Sequence, residues 1–270
     1  MAKMPYAKLH GAGNSYVYVD GRHGRSRSWP QIARRVSDPA TGLGGDGLIV
    51  LQRSHAADVA VRIFNRDGSE AEMCGNGLRG LGKYLYDRGE MRGAVRVETL
   101  AGVVRVEVVE AGAEGARRLA VDMGIPRGTE EPPEPLAVAG TVLWMHRVNM
   151  GNPHAITFRS RLATDAWMAA VGPLVEHHAR FPDGVNFHAA TVHGRRAVSV
   201  RHWERGSGPT RACGSGACAV VVAGRRAGWL DDRVEVTVPG GRLTVEVQAS
   251  GRITLTGPAV EISRGCLYGL

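Results

Sequence analysis

Residues 95–108 read VRVETLAGVVRVEV, and residues 234–247 read VEVTVPGGRLTVEV. The two stretches superpose without a gap at an offset of 139. At the same offset Cys74-Gly75-Asn76-Gly77 falls on Cys213-Gly214-Ser215-Gly216, Arg62 on Arg201 and Gly102 on Gly241. Upstream, Gly13-Asn14 lies over Gly151-Asn152 at an offset of 138, and Asp46-Gly47 over Asp183-Gly184 at 137. One such match could be chance; a nearly constant offset along most of the chain marks two tandem copies of one unit. Pro126, Pro132, Pro133 and Pro135 punctuate the stretch between Gly124 and Thr141, which reads as the linker. The expected halves are residues 1–126 and 127–270.

Each copy reads as mixed α/β. Alternation of apolar and polar residues predicts strands over 16–19, 48–51, 59–64, 95–98 and 103–108 in the first copy. The second copy offers 142–148, 155–158, 197–203, 234–238 and 243–247. Ala101-Gly102 and Gly240-Gly241 sit where two-residue hairpin loops would. Helices are expected over 29–36, with Ser28 as cap and Pro30 in the first turn, over 165–179, and directly after each Cys-Gly-x-Gly block. The last of these, from Ala217 to Ala223, is apolar all round, and such a helix is enclosed by protein on every side. Two units, each a sheet wrapped about a buried helix, is the simplest architecture.

Composition narrows the function. The chain has 270 residues, 43% of them hydrophobic, enough for a real core. No apolar run approaches the ~18 residues needed to span a bilayer, and Met1–Asn14 lacks the apolar stretch of a secretory signal. A cytoplasmic protein with no membrane role is expected. The net charge of +8 comes from arginines scattered singly or in pairs, with no basic run or aromatic-interleaved stripe, so nucleic acid is not expected as a partner. Lys83 is the sole lysine beyond residue 8, which leaves little room for a pyridoxal Schiff base.

Of the four cysteines, Cys218 and Cys266 read as inert core or terminal residues. No Cys-x2-Cys pair and no histidine at ligand spacing accompanies them, so no metal is expected. Cys74 and Cys213 differ because each is succeeded by a Gly-x-Gly block. Glycines leave backbone N–H groups open at a helix start, where about half a positive charge resides. That field favours a thiolate and holds a carboxylate. Two such thiols on opposite sides of one bound amino acid would suit inversion of a stereocentre, which needs a base on one face of Cα and an acid on the other. His154 and Glu204 are the candidate partners, although a lone His after Pro also reads as a packing residue, and Glu204 as a surface ion pair with Arg205. His177, His178 and His188 read as solvated.

These residues resemble a known family. The blocks KLHGAGNSYVYVD from Lys8, GLGGDGL from Gly42, FNRDGSEAEMCGNGLR from Phe64 and VNMGNPH from Val148 are similar to those of the diaminopimelate epimerases. So are FPDGVNF from Phe181, WERGSGPTRACGSGACA from Trp203, VPGGRL from Val238 and TGPA from Thr256. Those enzymes interconvert LL- and meso-diaminopimelate without a cofactor, on a fold of two similar α/β halves. Each half is a barrel around a central helix, and the active site lies in the cleft between them.

The resemblance implies that Cys74 and Cys213 are the two acid/base residues, with His154 beside the first and Glu204 beside the second. It implies that Gly75, Asn76, Gly214 and Ser215 hold the α-carboxylate. It also implies that Asn65, Asn152, Asn186 and Arg205 grip the distal amino-acid end, with Asn14 lining the site. The expected partner is therefore the small-molecule substrate diaminopimelate. Four positions depart from the family pattern: Ser15, Arg66, Pro209 and Ser263. The last replaces a tyrosine used at the dimer interface of some members, which leaves a homodimer an open expectation. The alternatives are a racemase of another amino acid, such as histidine, on the same scaffold, and a non-catalytic thiol-redox protein.

Overall fold

The computed structural model describes residues 3–23, 28–128 and 132–269. In chain order the first copy holds β1 (Lys3–Gly11), β2 (Asn14–Asp20), α1 (Trp29–Ser37), β3 (Gly47–Gln52), β4 (Val59–Asn65) and the short β5 (Glu70–Ala71). It continues with α2 (Gly75–Tyr86), β6 (Ala94–Thr99), β7 (Gly102–Gly112) and β8 (Gly115–Asp122). The second copy holds β9 (Glu134–Val138), β10 (Thr141–Asn149), β11 (Pro153–Phe158), α3 (Asp165–Glu176), β12 (Asn186–Gly194) and β13 (Ala197–Glu204). It continues with β14 (Gly208–Thr210), α4 (Gly214–Arg226), β15 (Arg233–Val238) and β16 (Gly241–Val247), followed by β17 (Ile253–Pro258) and β18 (Val260–Tyr268).

The duplication is visible in hydrogen-bond register. Six residue pairs join β6 to β7, from Ala94↔Glu107 to Thr99↔Gly102, and all six recur between β15 and β16, from Arg233↔Glu246 to Val238↔Gly241. Every pair is displaced by the same constant offset that relates the two Cys-Gly-x-Gly blocks. In both copies the parallel pairs correspond as well: β2 with β3 and β4 with β6 in the first, β11 with β12 and β13 with β15 in the second. The hairpin turns close one residue earlier than expected, at Leu100-Ala101 and Pro239-Gly240. Gly102 and Gly241, at φ 116° and 142°, already begin the return strands. Those angles suit glycine alone.

Two compact units result, one built from the chain up to Asp122 together with the segment from Thr256, the other from Met123–Leu255. This differs from the expected halves at the C-terminus. β18 pairs antiparallel with β1, Met4 opposite Leu267 and Tyr6 opposite Gly265, and so covers an edge that β2 leaves open. In the second unit β9 pairs antiparallel with the first part of β10, Thr141–Met145, and β11 with the remainder, His146–Asn149. β9 therefore forms inside the stretch expected to be a bare linker. Pro135 is tolerated there because, among the described residues, β9 pairs with β10 and stands at an edge. Residues 129–131 of that stretch lie outside the described residues.

Strands β2 and β3 are buried on both faces, which explains their unbroken apolar runs. Val17, Val19, Leu48 and Val50 pack on Trp29, Ile32, Ala33 and Val36 of α1. The alternate residues Tyr18 and Ile49 meet α2, where Gly80 and Gly77 leave room for them. In the second unit Phe187 and Ala189 pack with Met168, Val171 and Val175 of α3, while His188 meets Gly216 of α4. Helices α2 and α4 are buried almost throughout, as the apolar run in the second had indicated. The first is not wholly apolar. Arg79 donates to Asn76 Oδ1 at 2.6 Å, and Lys83 to the Ala116 carbonyl at 2.9 Å and, as an ion pair at 2.8 Å, to Asp87. Ser28 precedes α1, but its side chain makes no cap; its carbonyl accepts from Gln31 and Ile32 instead. Among the described residues no helix is long and apolar enough to cross a membrane.

Candidate active site

Cys74 and Cys213 each occupy the residue before a buried helix, in extended backbone. Each sulfur accepts the amide of the third residue on, from Gly77 at 3.4 Å and from Gly216 at 3.3 Å. The thiols thus stand where the helix field is strongest, and the first-turn amides of Gly75-Asn76 and Gly214-Ser215 lie beside them.

In the first unit Cys74 is joined by Asn14 and Tyr16. Its Sγ lies 3.5 Å from Tyr16 Oη and 3.8 Å from Asn14 Oδ1, which also accepts from Asn76 Nδ2 at 3.3 Å. Asn65 stands apart at the end of β4, donating to Ser69 Oγ at 3.0 Å. Arg66 is exposed, with its charge bearing on Asp38. Ser15 donates its backbone N–H to Asp46 Oδ2 at 2.7 Å, and Ser263 pairs with Lys8 in the β1–β18 ladder.

In the second unit Glu204 approaches Cys213 while accepting from Thr210 Oγ1 at 2.5 Å. Burial pushes the Cys213 thiol well above its ordinary value, and the negative Glu204 pushes it further; Ser215 and the Gly216 amide oppose them. Burial thus opposes the helix field at this sulfur and favours its thiol form. Asn186 holds the site backbone: its Nδ2 donates to the Pro153 carbonyl at 3.0 Å, and its Oδ1 accepts from the Arg205 amide at 3.1 Å. The Arg205 guanidinium donates to the Asp183 carbonyl at 2.9 Å. Pro209, on β14, is exposed opposite Trp203.

His154 is buried, with both ring nitrogens engaged: Nε2 with Asn152 Oδ1 at 2.8 Å and Nδ1 with His188 Nε2 at 2.8 Å. His188, expected to be solvated, is fully buried, and its Nδ1 meets His202 Nδ1 at 2.9 Å. The correction has a plain cause: residues 186–191 of β12 are buried on both faces, so a histidine among them has no route to water. Tyr16, Thr210 and His202 went unnoticed in the sequence. Tyr16 was legible, since the offset that lays Gly13-Asn14 over Gly151-Asn152 also lays it over His154. Both residues begin the parallel strand pair of their unit, opposite Gly47 and Asn186.

The model of the family described as "Diaminopimelate epimerase" matches residues 6–128 and 146–262. A diaminopimelate epimerase of Heliobacterium modesticaldum is 40% identical, across 97% of this chain and 99% of that protein. One of Geobacillus kaustophilus is 42% identical, across 99% and 98%. Among solved structures, a hydroxyproline epimerase from Agrobacterium vitis superposes with a TM-score of 0.76 at 16% identity, over 98% of this chain and 92% of that one. A phenazine biosynthesis protein of the PhzF family from Bacillus anthracis gives 0.73 at 16%, over all of both chains. These structural likenesses speak for the fold, the sequence matches for more. The chain belongs to the diaminopimelate epimerase family.

Proposed function

We propose that the chain epimerises LL-2,6-diaminopimelate to the meso isomer, with Cys74 and Cys213 as its two proton carriers. The observation that carries this reading is the repeated thiol: two cysteines at equivalent positions of the two copies, each capping a buried helix through the third amide on. Full-length relatives at about the same 40% identity bear the same name.

In the reaction one sulfur, as thiolate, removes the Cα proton, and the electron pair of the C–H bond stays on carbon, delocalised into the carboxylate. The other sulfur, as thiol, gives its proton to the opposite face and is left as thiolate. Protons balance within the site and no oxidant is needed. Cys213, which burial favours as a thiol, is the donor in the direction that starts with Cys74 as base. The reverse direction exchanges the roles.

The difficulty is the weak acidity of a Cα–H beside an ammonium and a carboxylate. Without an electron-sink cofactor the developing charge must be met by fixed dipoles. Each first-turn amide aimed at the carboxylate is worth about 2.7–4 kcal/mol in a dry site. Asn65, Asn152, Asn186 and Arg205 would engage the second amino-acid head, which a histidine substrate lacks, and a polar set left unpaired is a strong basis for selection. The small-molecule substrate is then the working partner, and free thiols suit the reducing cytoplasm.

Incubation with LL-diaminopimelate in deuterated water tests this. Meso product carrying one deuterium at the inverted Cα is expected. Recovery of unlabelled LL isomer alone, with an active-site disulfide as the working state, would favour the thiol-redox alternative.

A further inference from the structure

Three histidines form an unbroken buried chain in the second unit. His188 and His202 sit directly opposite one another on the antiparallel strands β12 and β13. His154 lies two residues before Ile156, the neighbour of His188 on the parallel strand β11, and so projects to the same face. None of the three is more than 2% exposed. Their nitrogens meet in series, His202 Nδ1 with His188 Nδ1 at 2.9 Å, His188 Nε2 with His154 Nδ1 at 2.8 Å, and His154 Nε2 with Asn152 Oδ1 at 2.8 Å. The His188 ring fills the space beside Gly216, where a methyl would lie 2.4 Å from its Cε1, and so is held against the turn that carries Cys213. His202 Nε2 is buried without a hydrogen-bond partner.

The protons are set from His202: a buried N–H without an acceptor is costlier than a bare lone pair, so its unpartnered Nε2 carries no hydrogen, and the Asn152 end agrees. A neutral His202 then carries hydrogen on Nδ1, His188 accepts at Nδ1 and carries hydrogen on Nε2, and His154 accepts at Nδ1 and carries hydrogen on Nε2. That last hydrogen meets Asn152 Oδ1, an amide oxygen, which only accepts. Burial holds all three rings neutral, and repulsion from the neighbouring histidines adds to it at His154 and His188: His154 and His202 are pulled down to about 3, and His188 well below its ordinary value. The charges of Arg205 at His154 and of Arg201 at His202 act in the same direction.

We propose that His202, His188 and His154 act as positioning residues that lock the amide of Asn152, occupying its oxygen so that its NH2 is presented to a substrate carboxylate. The inference rests on the reading of Asn152 as a group that grips the distal end of the substrate. Were the tautomers reversed, His154 Nε2 would become an acceptor and Asn152 would turn its NH2 inward. Its oxygen would then face the carboxylate and repel it. The lock thus selects an acceptor over a donor at that subsite.

Histidine-selective 15N labelling of the full chain, with long-range 1H–15N correlation spectra, reads the three tautomers. His202 is expected wholly as the Nδ1–H form, the less common one in water, and His188 and His154 wholly as Nε2–H. A His202 in the Nε2–H form overturns the proposal without reference to activity. His202→Asn keeps a donor near the Nδ1 position, whereas His202→Leu removes it at similar volume. The leucine variant should show mixed tautomers at His154 and a roughly tenfold higher KM for LL-diaminopimelate with kcat within twofold. The asparagine variant should restore both. An unchanged His154 tautomer in the leucine variant, or a loss confined to kcat, contradicts the lock. Because the spectra report on the chain even if the substrate is another amino acid, failure of the lock and failure of the proposed reaction are separable.

Discussion

His188 and His202 face each other across β12 and β13 with their Nδ1 atoms 2.9 Å apart, and neither ring reaches water. A contact between two like nitrogens requires one to be protonated and the other bare. That asymmetry has consequences for stability as well as for binding.

The three buried histidines should make stability depend on pH in a known direction. Folding holds His154 and His202 down to about 3 and His188 well below its ordinary value, while in the unfolded chain each titrates near ~6.5. Between those values the unfolded chain binds more protons, so stability is full above about 6.5 and is lost as pH falls. The loss should be on the order of 1 kcal/mol per pH unit for each histidine. Urea midpoints measured from pH 7 to pH 5 should fall steadily. A flat profile over that window would show that the rings are already protonated or exposed when folded.

Loss of either sulfur should end epimerisation and spare the fold. Cys74→Ala and Cys213→Ala are each expected to reduce kcat by at least about 10³-fold, in line with removal of a catalytic nucleophile or base. Far-UV circular dichroism should be unchanged. A single Cys→Ser variant should still eliminate HX from a halogenated substrate analogue, since that needs one base only. Substantial epimerisation by Cys213→Ala would remove the two-base account.

Glu204 raises the Cys213 thiol through its charge, after burial the largest cause. Glu204→Gln removes that charge and should shift the pH midpoint of Cys213 alkylation downward. The rate of iodoacetamide labelling against pH, in a Cys74→Ala background, reads the shift. A midpoint that stays in place or rises would mean that Glu204 does not act on this sulfur.

The close approach of sheet to central helix in the first unit can be tested at Gly80. A methyl there would lie 2.1 Å from Tyr18 Oη, which donates to the Gly77 carbonyl at 2.8 Å. Gly80→Ala should cost about 1–3 kcal/mol by overpacking, although alanine is the better helix former. Chemical denaturation measures it; an unchanged or increased midpoint would contradict the packing.

How much of this could be read from the residues depended on range. The repeat carried the two Cys-capped helices, the β6–β7 and β15–β16 hairpins and the buried character of α4, because each is local and occurs twice. β18 and β9 were not legible as sheet partners. β18 covers an open edge, and pairing between β1 and a strand at the opposite end of the chain leaves no local signature. β9 lies in the proline-punctuated stretch that reads as a linker. His188 was misjudged for the same reason, its partners lying 34 and 14 residues away on neighbouring strands. Its apolar neighbours Val185, Phe187, Ala189, Ala190 and Val192 were the available signal. The bias of Cys213 toward its thiol form also lay beyond the sequence, since a helix start announces its dipole but not how deeply the sulfur is buried.

The most direct test of the two-sulfur mechanism is a crystal structure of the chain inactivated by an aziridine analogue of diaminopimelate. The account predicts a covalent bond from one of Cys74 and Cys213 to the analogue. The other sulfur should stand within about 3.5 Å of the reacting carbon on its opposite face. Both sulfurs on one face, or the second far from the carbon, would contradict it.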